Sequence, residues 1–195
     1  DVVIMTPELT RFAPLIEASF SNRSRDQKFP DLRVSIADQS PVQRNPLIHF
    51  ARTILDLASS RLPARSVVEL MALPVVQRRF DLDPDMLEPI EELIEEANVR
   101  WGIDADDRER AGTARGSEHT WESGIGRIVS GIFYSDSPTE IVVGLAPIHG
   151  IEGDRANAAV TLAYVIGHVE FVVNLLRTKR PSSQWTSAIF RAVGL

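Results

Sequence analysis

The chain has no cysteine and only two lysines, Lys28 and Lys179, in 195 residues. Without cysteine there is no disulfide framework, thiolate zinc site, iron–sulfur cluster or thiol nucleophile. Such usage fits a reducing compartment, and a cytoplasmic location is expected. The scarcity of lysine removes a second class of chemistry. Nucleotide phosphate loops place a Lys after a Gly-rich turn between strand and helix. Both lysines lie far from any such pattern, and the turn after the first strand-like run is Thr6-Pro7, where proline removes an amide donor. The other nineteen basic residues are all Arg, a bias that GC-rich codon usage accounts for.

Excess positive charge is also lacking. Asp and Glu total 27 against 21 Lys and Arg, a formal net charge of −6. That balance excludes a free-standing nucleic-acid binder held by bulk charge, while leaving room for a local basic strip. Histidines number four: His49, His119, His149 and His168. His119 with Glu122 spells H-x-x-E, and His168 with Glu170 spells H-x-E; neither is the H-E-x-x-H of zinc hydrolases. The H-x-E of zinc deaminases comes with a cysteine pair absent here. There is no G-x-S-x-G nucleophile elbow; Ser123-Gly124 and Ser130-Gly131 fall in a helical pattern, where small residues allow close packing. Glu91-Glu92 and Glu95-Glu96 share the polar face of one helix and read as solvated charge. No catalytic group, cofactor or metal is expected.

With 44% apolar and 25% charged residues, the composition is that of a soluble globular protein. The longest apolar run, 156–176, matches a bilayer in length, but His168, Glu170 and Asn174 interrupt it. It is expected to be a deeply packed helix, with no membrane association. The chain opens at Asp1 on a strand-like run and stops at Leu195 after an amphipathic segment; the expectation is a piece of a longer polypeptide, and no signal peptide is visible.

The pattern predicts strands at 1–5 and 32–36, where Leu32, Val34 and Ile36 alternate with Arg33 and Ser35. Phe12, Leu15, Ile16 and Phe20 recur at helical spacing, with Pro14 a candidate start. Asn45-Pro46 opens a helix whose face is Leu47, Ile48, Ala51, Ile54, Leu55 and Ala58. Beyond Ser59 the signals are helical. Ser66-Val-Val-Glu69 reads as a capping box for a short helix stopped by Pro74. Asp83-Pro84 opens a helix that Pro89 should kink and that Asn98 should close in left-handed conformation, with Val99 folding back. Residues 104–117 read as a charged loop. Thr120 caps a helix bearing Trp121, Ile125, Ile128 and Ile132. Residues 135–153 are mostly irregular, with a short strand at 141–143. Asp154 caps the long apolar helix, which ends near Arg177–Arg180, and Pro181-Ser182-Ser183 opens the last. The result is mainly α with a small αβ part: an αβ segment at 1–58 and a helical domain at 59–195.

The candidate contacts are basic pairs and triplets: Arg78 with Arg79, Arg108 with Arg110, and Arg177, Lys179 and Arg180, the last three suiting the negative end of a helix dipole. Trp101 is expected to be buried, joining the helix before Asn98 to the helix after Thr120. Trp121 and Trp185 are either packing groups or base-stacking platforms.

The order of several short strings carries a resemblance. Asp1-Val-Val-Ile-Met-Thr-Pro, Phe12-Ala-Pro-Leu-Ile, Val34-Ser-Ile-Ala-Asp38 and Asn45-Pro-Leu are followed by Pro74-Val-Val-Gln-Arg-Arg-Phe-Asp-Leu. The most specific strings are Val99-Arg-Trp-Gly-Ile-Asp104, with Arg100, Trp101, Gly102 and Asp104, and His119-Thr-Trp-Glu-Ser-Gly124, with Thr120 and Trp121; Ile151-Glu-Gly153 and Arg180-Pro181 also fit. Along nearly its whole length the chain resembles the RecC family, the gamma subunit of exodeoxyribonuclease V. The resemblance implies an inactive superfamily-one helicase-like fold, with 1–58 part of the second RecA-like domain and 59–195 a helical insertion. It implies a non-catalytic scaffold and DNA channel wall beside RecB-like and RecD-like subunits, in double-strand break end processing and Chi-regulated recombination. No Chi-reading residue is carried over. Two alternatives stand beside it: a fragment of an ATP-driven superfamily-one DNA helicase, and a helical interaction domain unrelated to DNA. DNA binding by the isolated piece is expected to be weak and electrostatic.

Overall fold

A computed structural model describes residues 5–6, 9–21, 36, 45–134 and 144–193. The chain divides into two compact units, Asp1–Asn45 and Pro46–Leu195. Among the described residues there is no strand, and the fold is mainly helical. The strands expected at 1–5, 32–36 and 141–143 lie outside the described residues, except for Met5 and Ile36.

In the first unit, helix α1 (Leu9–Ser21) runs through position 14 instead of starting there. Proline's fixed φ is itself helical, and the missing amide removes one bond from the ladder without ending it.

The second unit is built around one helix. Its elements are α2 (Pro46–Ser59), α3 (Ala64–Met71), α4 (Pro74–Phe80), α5 (Leu87–Glu96), α6 (Ala105–Arg110), α7 (Trp121–Phe133), α8 (Gly153–Arg177) and α9 (Trp185–Val193), with 3₁₀ turns at Pro84–Met86 and Ser182–Gln184. At 25 residues α8 is about 37 Å long. It packs against α2, α5, α7 and α9. A helix touched by several neighbours needs an apolar surface wider than one stripe. Ala158, Ala159, Leu162, Val165, Ile166, Val169, Val172, Val173 and Leu176 are buried, while Val160, Tyr164 and Phe171 on the remaining side are exposed; by length and composition alone the run could cross a membrane. The apolar pattern groups α2 with the αβ segment ending at residue 58; here its buried Ile54, Leu57 and Ala58 complete the core around α8.

Several helix ends follow local chemistry. Thr120 caps α7, its Oγ1 accepting from the Ser123 amide at 3.3 Å. Asn98 adopts φ 54°, its amide donating to Glu95 O and the Val99 amide to Ile94 O, so the apolar closure of α5 forms as expected. Others differ. Helix α3 begins at Ala64, before the supposed capping box, because the Ala64 amide donates to Arg100 O; Glu69 pairs with Arg65 at 3.0 Å instead. Pro89 falls in the first turn of α5, where amides lack intrahelical partners, so it is no mid-helix kink. Helix α8 starts at Gly153, with Glu152 rather than Asp154 in the capping position. The supposed loop at 104–117 contains α6, opened by Asp104, whose Oδ1 accepts from the Asp107 amide at 2.7 Å.

The small residues of α7 set its separation from neighbours. A Cβ at Gly124 would lie 2.1 Å from Val99 Cγ2, and one at Gly131 would lie 2.0 Å from the Ile148 carbonyl oxygen. Close approach at both serine–glycine pairs is therefore structural.

Candidate functional site

The two most specific strings of the sequence meet in one junction. Four backbone turns in left-handed conformation, at Leu62, Asn98, Gly102 and His119, bring segments 61–64, 98–104 and 117–122 together. The amides of Arg100 and Trp101 both donate to His119 O, at 2.9 and 3.4 Å. The Gly102 amide donates to Arg61 O at 2.8 Å, and Gly102 O accepts from the Trp121 amide at 2.9 Å. The Glu122 amide donates to Ile103 O at 2.9 Å. Gly102 has φ 85°, a conformation costly for any other residue, and Arg108 Cγ would stand 3.3 Å from an added Cβ.

Each signature residue has a place here. Thr120 is buried, donates from Oγ1 to Ser117 O at 2.7 Å and caps α7. Arg100 donates from Nε to Asn98 Oδ1 at 2.9 Å. Trp121 is 1% exposed, and its Nε1 donates to Leu62 O at 3.1 Å, 59 residues away. Trp101 is not the buried one. It is half-buried, its ring contacted by the guanidinium carbons of Arg61 at 5.4 Å and Arg108 at 4.7 Å from the centroid. The reason is neighbourhood: Trp121 starts the apolar stripe of α7, whereas Trp101 faces the polar side of α6.

Below Trp101 lies an ionic clasp. Asp107, 5% exposed, accepts from the Ile103 amide at 3.0 Å and from Arg177 Nη1 at 2.5 Å. Arg177 also donates from Nε to Ala58 O at 2.8 Å and from Nη2 to Ser60 O at 2.7 Å. One guanidinium thus joins the ends of α8 and α2 to α6. Ser59, Ser60, Arg61, Trp101, Arg110 and Arg177 border a concavity of about 350 Å³ over this clasp.

The candidate cations are therefore not equivalent. Arg108, Arg110 and Arg177 gather around Trp101 and Asp107; Arg110 donates to Asp106 O at 3.3 Å and lies 3.6 Å from Asp107 Oδ1. Arg180 caps α8, donating to the carbonyls of Thr178 and Leu175 and resting 5.4 Å from the Trp185 ring centre. Lys179 is exposed beside it. Arg78 and Arg79 form the last turn of α4, elsewhere on the unit, both exposed. Sequence reasoning missed Arg61, Asp107, Arg127 and Arg155. Arg127 donates from α7 to the carbonyls of Ala146 at 2.9 Å and Ala97 at 3.0 Å, and Arg155 binds Glu96. Ala146 lies 19 residues from Arg127, Glu96 lies 59 from Arg155 and Arg177 lies 70 from Asp107, all beyond any local motif.

The histidines have structural roles or none visible. His119 Nδ1 meets Asn98 O at 3.0 Å, and His168 packs edge-on against Phe80 and Tyr164. Among the described residues no group of three His, Asp or Glu is placed to hold a metal ion. Glu170 shares a groove with Asp104 and Glu122; burial, then those two charges, raise its carboxyl above the ordinary value.

Fold and junction together define a helical domain whose most distinctive residues hold its own loops in register. The model of the RecBCD enzyme subunit RecC fourth domain matches residues 44–194. The chain belongs to the RecC family. It is 30% identical over its whole length to the RecBCD enzyme subunit RecC of Mycobacterium tuberculosis (strain H37Rv), of which it covers 18%. It is 31% identical over 97% of its length to that of Mycolicibacterium smegmatis, covering 18%, and 25% identical over 95% to that of Escherichia coli K12, covering 16%. The chain spans less than a fifth of these relatives.

Proposed function

We propose that this chain is a non-catalytic piece of a RecC-type subunit, acting as scaffold and DNA channel wall in double-strand break end processing and Chi-regulated recombination. Its partners are RecB-like and RecD-like subunits and DNA, in the cytoplasm, and it uses no cofactor of its own. Residues 1–58 belong to the second RecA-like domain of an inactive superfamily-one helicase-like fold, and 59–195 to its helical insertion. The observation that carries the reading is the RecC fourth-domain match over almost the whole helical unit. The junction supports it: its signature residues bond to backbone groups of three segments, as a rigid wall requires.

The test uses the full-length parent subunit. Mixed with RecB-like and RecD-like subunits it is expected to co-elute as one complex and to be needed for processing of DNA ends, while alone it hydrolyses neither ATP nor DNA. Magnesium-dependent ATP hydrolysis by the parent, abolished by a point substitution within this chain, would favour the active helicase instead. Indifference to both DNA and the partner subunits would leave only an unrelated interaction domain.

A further inference from the structure

Six of the fourteen arginines from Arg52 to Arg191 are neutralised at home. Arg52, Arg65, Arg110, Arg115, Arg155 and Arg177 each pair with a carboxylate. Arg61 and Arg108 do not: among the described residues neither has an ion-pair partner, yet both guanidinium groups are held on the ring of Trp101. Their distances to one centroid, 5.4 and 4.7 Å, put the two cations no more than about 10 Å apart, within one Debye length at about 0.1 M salt. The Asp107 carboxylate that lines the concavity beside them is already engaged by Arg110 and Arg177, so two like charges kept that close are left to attract a further anion. Beside them opens the 350 Å³ concavity, bordered by Arg110 and Arg177 and open enough to admit a sugar–phosphate unit.

We propose that Arg61 and Trp101, which line this concavity, together with Arg108 held on the Trp101 ring, form a seat for a backbone phosphate of single-stranded DNA. The choice of phosphate follows from geometry and charge. The guanidinium fork of Arg61 fits the non-bridging oxygens of a phosphodiester, and the second cation held on the Trp101 ring adds to the pull on an anion. In a chain of net charge −6 the seat is a local island, so it positions a strand rather than gathering one. This inference rests on the channel-wall reading above.

The experiment titrates labelled oligothymidylate into the full-length parent subunit at several salt concentrations. Arg61→Ala is the main variant, since the Arg61 side chain is exposed and its hydrogen bond within the junction is made by its backbone carbonyl; Arg61→Lys keeps the charge, and Arg78→Ala removes a cation elsewhere. Losing one phosphate contact on a single strand lowers the salt slope by about 0.7. The expected result is that slope change with roughly 3- to 10-fold weaker binding for Arg61→Ala, substantial recovery in Arg61→Lys, and no change in Arg78→Ala. Wild-type binding with Arg61→Ala identical in affinity and slope overturns the seat and leaves the channel-wall reading standing. Failure of the wild type to bind the oligonucleotide overturns both. If Arg61→Ala binds DNA normally but no longer captures the partner subunits, the seat holds a protein carboxylate and the proposal is overturned. It is equally overturned if inorganic phosphate changes Trp101 emission and the oligonucleotide does not.

Discussion

Gly131→Ala adds one methyl group where the structure has no room for it. The new Cβ would stand 2.0 Å from Ile148 O, 3.0 Å from Ile148 C and 3.0 Å from Ile151 Cδ1, whereas ordinary contact begins near 3.4 Å. The obstacle is backbone, so no rotamer change relieves it. Helix α7 and the 145–151 segment must separate by more than an ångström, loosening Ile148 and Ile151, both buried, and the bond from the Ile148 amide to Arg127 O. Overpacking of this kind costs about 1–3 kcal/mol and a strained hydrogen bond about 1 kcal/mol more. Against it stands the better helix propensity of alanine, about 1 kcal/mol. The net expectation is a loss of about 1–3 kcal/mol, or about 2–12 °C in melting temperature for a chain of this size. Gly167→Ala is the matched control: it too lies inside a helix, but nothing stands within 4 Å of its added Cβ. It should gain about 0.5–1 kcal/mol. Thermal and urea unfolding of both variants by circular dichroism give the comparison. Gly131→Ala melting at or above the wild-type temperature would refute the packing of α7 against residues 145–151.

Three further outcomes are expected. Trp121→Ala should cost about 3–5 kcal/mol as a core cavity, whereas Trp101→Ala should cost about 1–2 kcal/mol, the sum of two cation–π contacts of about 0.5–1 kcal/mol each; equal losses in urea unfolding would contradict the assignment of Trp121 to the core. Arg177→Met leaves the buried Asp107 carboxylate without its closest cation and should destabilise by about 3–5 kcal/mol, with much of the loss recovered in Arg177→Met/Asp107→Leu; an additive double variant would contradict the clasp. Glu170 has a raised carboxyl value in the folded chain, so the stability it contributes is intact below the ordinary Glu value of about 4.3 and lost as pH rises through the folded one; Glu170→Gln should melt above wild type at pH 7, with the gap closing towards pH 4, and a pH-independent gap would contradict the shift.

What the sequence makes legible here is what a few neighbouring residues decide. Thr120 as a cap, Asn98 as a left-handed stop and the close packing of Gly124 and Gly131 follow from local chemistry, and all appear in the structure. The length and apolarity of 156–176 likewise signal the central helix, although Val160, Tyr164 and Phe171 lie on its exposed side. Helix α6 is invisible in sequence because Ala-Asp-Asp-Arg-Glu-Arg has no apolar periodicity. It is held by the Asp104 cap and by Asp107, whose partner Arg177 comes 70 residues later. The two tryptophans are separable in principle: residues 121, 125, 128 and 132 trace one stripe of α7, while Trp101 has Arg100, Asp104 and Arg108 around it in sequence. The fate of the arginines is not separable. Arg177 reads as a cation at a helix end, available to a phosphate, and only the fold reveals that its donors are taken by Ala58, Ser60 and Asp107. Arg61, unremarkable in sequence, becomes an uncompensated cation because the turn at Leu62 and the bond from the Gly102 amide to Arg61 O carry it to the ring of Trp101. Charge along a chain thus reports how many cations exist, and the topology decides which of them are left to meet an anion.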